Sequence, residues 1–93
     1  MSDLLSEDEI KSQLPDGWTY GENEIGRIYE FDDYLRGVNF AQLVGEIAEV
    51  QGHHPTMVIG YKELKVTLST HEAGGVTEKD LEMAEVIEAE RND

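Results

Sequence analysis

The sequence predicts an α+β fold of order α-β-β-α-β-β-α, a four-stranded antiparallel sheet with helices packed on one face. Three observations carry that expectation. Two stretches open with capping boxes, Ser6-Glu7-Asp8-Glu9 and Thr77-Glu78-Lys79-Asp80, in which a hydroxyl and a carboxyl satisfy backbone N–H groups at a helix start. Phe40, Leu43, Val44, Ile47 and Val50 recur at the spacing of an amphipathic helix. Leu64, Val66 and Leu68 alternate with Lys65, Thr67 and Ser69, the period of a half-buried strand.

Taken in order, Ser6 caps a short helix through Ile10 and Leu14 that stops before Pro15. Asp16-Gly17 is a turn, and Trp18 to Tyr20 form a first strand. Gly21 to Glu24 turn the chain into a second, with Ile25, Tyr29 and Phe31 on one face. Asp32 or Asp33 caps the long helix, and Gly52 ends it by taking the left-handed conformation. Met57 to Ile59 form a short apolar strand, and Gly60 to Glu63 connect it to the alternating strand. After Gly74-Gly75, Thr77 opens a last helix through Leu81, Ala84 and Ile87. Met83 and Val86 form a second apolar strip, expected to serve subunit contacts.

Ninety-three residues make one domain spanning 1–93, with a thin core that buries about 60–65% of the unfolded surface. Without cysteine, neither disulfides nor thiolate metal sites can supplement it. The start lacks the features of a signal peptide, and no run reaches the ~20 apolar residues that span a bilayer. A soluble cytoplasmic protein is therefore expected. Twenty-one acidic residues against seven basic give a formal net charge of −14. Such a surface repels nucleic-acid phosphates and anionic lipid. Solubility is one reading of the acidity, and adaptation to a salt-rich cytoplasm, where counterions screen self-repulsion, is the other.

Chemistry concentrates at His53, His54 and His71, which fall just past a helix end and a strand end. Glu49 lies one helical turn before His53, placed to hydrogen-bond an imidazole there. Partly exposed loop histidines are one reading of this cluster. A zinc site is another, although adjacent histidines usually diverge. Nucleophilic catalysis lacks a cysteine or a serine in an elbow context. General acid–base chemistry fits imidazoles, which titrate near neutrality. Eliminating water from a carbinolamine is a reaction of that kind: an acid protonates the hydroxyl while the neighbouring nitrogen pushes in its lone pair and loses a proton. It needs no metal and no further cofactor.

At this point the residues resemble a known family. Glu49, three residues, His53-His54-Pro55, five residues, Tyr61, nine residues, His71, eight residues and Asp80 are similar to the pattern of the pterin-4a-carbinolamine dehydratases. The likeness extends through Tyr29-Glu30-Phe31-Asp32-Asp33-Tyr34, Gly17-Trp18, Ser69-Thr70-His71-Glu72 and Gly75-Val76-Thr77, about seventy residues in all.

The resemblance implies dehydration of a 4a-hydroxytetrahydropterin to the quinonoid dihydropterin in pterin recycling, in homodimers or homotetramers. It implies His53 and His71 as the acid–base pair, His54 as a substrate-orienting residue and Glu49 as their support. Gly52 to His54 and Ser69, Thr70, His71 and Glu72 would line the pterin pocket. Asp80 reads instead as the end of a capping box, Tyr61 and Pro55 as hairpin packing and a bend, and Trp18 as core. The chain departs from many members at Gly52, where they carry Asp or Asn, and at Met57, where they carry Trp. Some animal relatives double as dimerisation cofactors for a homeodomain transcription factor, so a catalytically silent oligomeric binding protein is the alternative.

Overall fold

The computed structural model describes residues 4–91. Seven main elements follow the expected order: α1 (Glu7–Gln13), β1 (Thr19–Gly21), β2 (Glu24–Glu30), α2 (Tyr34–Gln51), β3 (Thr56–Ile59), β4 (Glu63–Leu68) and α3 (Glu78–Glu90), with one 3₁₀ turn at His71–Ala73. Both capping boxes form, with Ser6 and Glu9 exchanging bonds at α1 and Thr77 and Asp80 at α3. Asp33 caps α2 by accepting from the Arg36 N–H. Among the described residues no helix is long and apolar enough to cross a membrane.

The strands lie in the order β1-β2-β4-β3, every neighbour antiparallel. The β1–β2 hairpin turns through Glu22 and Asn23, both at positive φ, the mirror-image turn whose twist matches its strands. Pairing of Ile25 with Leu68 and Tyr29 with Leu64 sets the register of β2 on β4. Side-chain alternation then sends Ile25, Tyr29, Leu64, Val66 and Leu68 into the core. On the other face Ile28 and Val58 flank Lys65 and remain about half exposed.

The helices cover the first face with Phe40, Ala41, Val44 and Ala48 from α2 and Leu81, Met83, Ala84 and Ile87 from α3. Three expectations are corrected here. Val50 is 84% exposed, because the core-facing line of α2 runs through Gly37, Phe40, Ala41, Val44 and Ala48. Small residues on that line let the helix approach the sheet, which a pattern weighted by large side chains misses. Met83 is fully buried instead of facing a partner, since α3 is covered over the wide arc Asp80, Leu81, Met83, Ala84 and Ile87. Tyr61 does not pack in its hairpin; it is exposed, with the Lys62 ammonium 5.3 Å from its ring centre.

A carboxylate ties the sheet to α3. Glu88 Oε2 accepts from Trp18 Nε1 at 2.8 Å, an Arg27 guanidinium N–H at 2.9 Å and the Tyr29 hydroxyl at 2.5 Å. Burial pushes the Glu88 carboxyl up, but the donors Tyr29 and Trp18 and the charges of Arg27 and Arg91 outweigh it and hold it below its ordinary value. Burial, and then the adjacent Glu88, push the Tyr29 phenol up. Trp18 is a core residue, as the sequence indicates.

Candidate active site

The residues singled out by the sequence sit where α2 ends, β3 begins and β4 runs into the 3₁₀ turn ahead of α3. Gly52 caps α2 at φ 67° and ψ 29°, its N–H bonded to Ala48 O. That left-handed residue reverses the chain, and the His53 N–H also returns to Ala48 O. The reversal lets His53 turn back over the N-terminus of α3.

His53 Nε2 lies 2.5 Å from Asp80 Oδ1. The imidazole is 14% exposed and the carboxylate wholly buried. Oδ2 of the same carboxylate accepts from the Thr70 hydroxyl at 2.8 Å and from the Thr77 N–H at 2.9 Å. With Asp80 accepting, the imidazole donates through Nε2–H, a tautomer assigned from the network. Among the described residues nothing bonds Nδ1, and every buried side-chain nitrogen or oxygen has a partner. Nδ1 is therefore the ring nitrogen left without a protein partner, and it is not sealed from solvent.

His54 turns outward and pairs with Glu49 across 2.6 Å. Their side chains are 60% and 78% exposed, so water screens the pair and its net worth is small. Glu49 thus engages His54 and makes no bond to His53, one helical turn ahead of it. His71, an exposed residue, opens the 3₁₀ turn next in chain to the buried Thr70. Ser69 is half-buried, Glu72 exposed, and the Thr70 side chain faces inward. Among the described residues no three His, Asp or Glu side chains come together as metal ligands.

The sequence placed Asp80 in a capping box, and it is there. Its second bond, to His53, is what capping alone does not reveal. Two surface clefts lie elsewhere, one bounded by Phe31, Arg36, Phe40 and Arg91, the other by Gly21, Gly26, Lys65 and Thr67. Neither includes a histidine.

The sequence pattern of the family described as pterin 4 alpha carbinolamine dehydratase matches residues 3–90. A protein of Natronomonas pharaonis, provisionally named pterin-4-alpha-carbinolamine dehydratase, is 52% identical over 85 residues, 91% of this chain and 92% of the relative. A Haloarcula marismortui protein of the same provisional name is 47% identical over 85 residues, again 91% and 92%. A crystal structure of a transcriptional coactivator/pterin dehydratase from Brucella melitensis superposes with a TM-score of 0.86 at 35% identity, covering 94% of this chain and 97% of that one. A pterin dehydratase-like protein identified as a RuBisCO assembly factor in the α-carboxysome shares the fold, with a TM-score of 0.65 at 21% identity over 78% and 87% of the two chains.

Proposed function

The chain belongs to the pterin 4 alpha carbinolamine dehydratase family, and on that premise we propose that it converts a 4a-hydroxytetrahydropterin to the quinonoid dihydropterin and water by histidine general acid–base catalysis. The observation that carries this reading is the His53–Asp80 couple, which leaves an unpartnered Nδ1 on a ring otherwise held in place.

In the reaction the C4a–O bond breaks as the N5 lone pair forms the N5=C4a double bond. The N5 proton leaves, and the hydroxyl departs as water after gaining a proton. His53 accepts at Nδ1, because its Nε2 proton is committed to Asp80. His71, in its imidazolium form, donates to the departing oxygen, and solvent exchange resets both rings. His54, steadied by Glu49, orients the pterin. Gly52, Ser69, His71 and Glu72 border the substrate, while Thr70, buried behind them, does not touch it. Imidazoles suit this work because both protonation states are populated near neutral pH.

Assembly into dimers or tetramers belongs to the same reading. It is supported by the edge position of β3 and by the exposure of Val58 and Ile59 on it.

The test follows a freshly generated 4a-hydroxytetrahydropterin by absorbance with the wild type, His53→Ala and His71→Ala, at low and high salt. A rate well above the uncatalysed one, cut roughly 10²-fold or more by either substitution, is expected. No acceleration in either salt would remove the enzyme reading and turn attention to binding partners.

A further inference from the structure

Asp80 is shared. One oxygen faces His53, and the other faces the turn that carries His71. What joins them is the hydroxyl of Thr70, a residue 1% exposed that lies two positions past the end of β4.

The backbone of Thr70 closes the turn by itself. Its N–H donates to Gly75 O at 2.7 Å, and its carbonyl accepts from the Ala73 and Gly74 N–H groups, both at 3.0 Å. The hydroxyl is not needed for that closure and points the other way. It lies 2.8 Å from Asp80 Oδ2 and 2.8 Å from Thr77 Oγ1. A threonine hydroxyl has one proton, and a carboxylate can only accept, so the Thr70 proton goes to Asp80. The Thr77 proton must then go to Thr70, while Thr77 Oγ1 accepts from the Lys79 N–H at 3.2 Å. The chain of bonds runs in one direction, Lys79 N–H to Thr77 to Thr70 to Asp80, and terminates on the carboxylate that receives His53.

We propose that Thr70 is a positioning residue whose hydroxyl fixes the Asp80 carboxylate, thereby holding His53 as its Nε2–H tautomer and tying the His71 turn to the same anchor. With Oδ2 held by Thr70 and by the Thr77 N–H, the carboxylate cannot rotate about its own axis, and Oδ1 stays in line with the imidazole. Loss of the hydroxyl leaves Oδ2 with the Thr77 N–H, frees the Thr77 proton and loosens the carboxylate. Nδ1–H and Nε2–H forms of His53 then become closer in population. Because Thr70 immediately precedes His71, its displacement also moves the second ring. The catalytic half of this inference rests on the dehydratase reading; the tautomer half does not.

The experiment compares wild type with Thr70→Val, which keeps the shape and removes the hydroxyl, and Thr70→Ser, which keeps the hydroxyl. Long-range ¹H–¹⁵N correlations of the histidine rings report the tautomer, with His53→Ala assigning the signals, and dehydration assays give kcat and KM. Expected are a dominant Nε2–H form in wild type and Thr70→Ser, a mixed population in Thr70→Val, and a kcat lowered roughly 10-fold with KM nearly unchanged. A Thr70→Val protein that loses thermal stability while keeping the His53 tautomer and kcat would overturn the proposal. Should Thr70→Val fail to fold, Thr70→Ala is read the same way, and a wild-type ring lacking the Nε2–H form refutes the proposal without any variant. If the wild type has no dehydratase activity but the tautomer responds to Thr70→Val, the function fails and the positioning role stands.

Discussion

The imidazole of His53 and the carboxylate of Asp80 meet at 2.5 Å although 26 residues separate them in sequence, the first just past the end of α2 and the second in the opening turn of α3. Asp80 thereby does two things, capping α3 and holding a ring whose other nitrogen is open. Asp80→Asn replaces one acceptor oxygen by a donor amide while keeping the size. It is expected to cost about 1–3 kcal/mol of stability, because buried donors lose their partner. Dehydration should fall roughly 10-fold or more. Glu49→Gln, in an exposed pair, should cost less than about 1 kcal/mol. Thermal melts and dehydration rates of the two variants decide this, and full activity in Asp80→Asn would detach that carboxylate from the chemistry.

Glu88 gives the protein an acid limb. Its carboxyl lies below the ordinary value of 4.5 in the folded state. A depressed carboxyl contributes stability that is fully present above the unfolded value and is lost as pH falls through the folded one. The contribution should therefore fade below about pH 4.5. Glu88→Gln removes it at neutral pH, leaves Arg27 and Tyr29 with a weaker acceptor, and is expected to cost roughly 1.5–3 kcal/mol. Its melting temperature should then depend less on pH in the acid range than that of wild type, and parallel acid limbs would assign the sensitivity elsewhere.

At Gly52 the backbone is left-handed, and a Cβ there would meet nothing within 4 Å. The cost of a side chain is thus backbone strain alone, about 1–2 kcal/mol for most residues and less for Asn. Gly52→Asn should fold with a smaller loss than Gly52→Ala, as chemical denaturation can measure.

The formal charge of −14 arises from 21 acidic residues against 7 basic ones, so most carboxylates have no cation to pair with. Exposed pairs such as Lys11–Glu7 and Arg36–Asp33 offset only a small part of the repulsion. Folding should strengthen as potassium chloride rises towards about 1 M, where the screening length shrinks to roughly 3 Å. A melting temperature that stays flat or falls with salt would show that repulsion does not limit this fold.

Local patterns determined most of the architecture: the two capping boxes, the alternation of Leu64, Val66 and Leu68, and Gly52 as a helix stop are each set by neighbours a few residues apart. The same adjacency marked His53, His54 and His71 and placed Glu49 beside a histidine. Tertiary structure decided what depends on residues far apart in the chain. It chose His54 as the partner of Glu49, because the left-handed turn at Gly52 swings His53 towards α3. It put Met83 inside and Val50 outside, because burial depends on which arc of a helix meets the sheet and not on the size of the side chain. And it brought Trp18, Arg27 and Tyr29 onto Glu88, a hub assembled across some sixty to seventy residues, for which no local spacing supplies a signal.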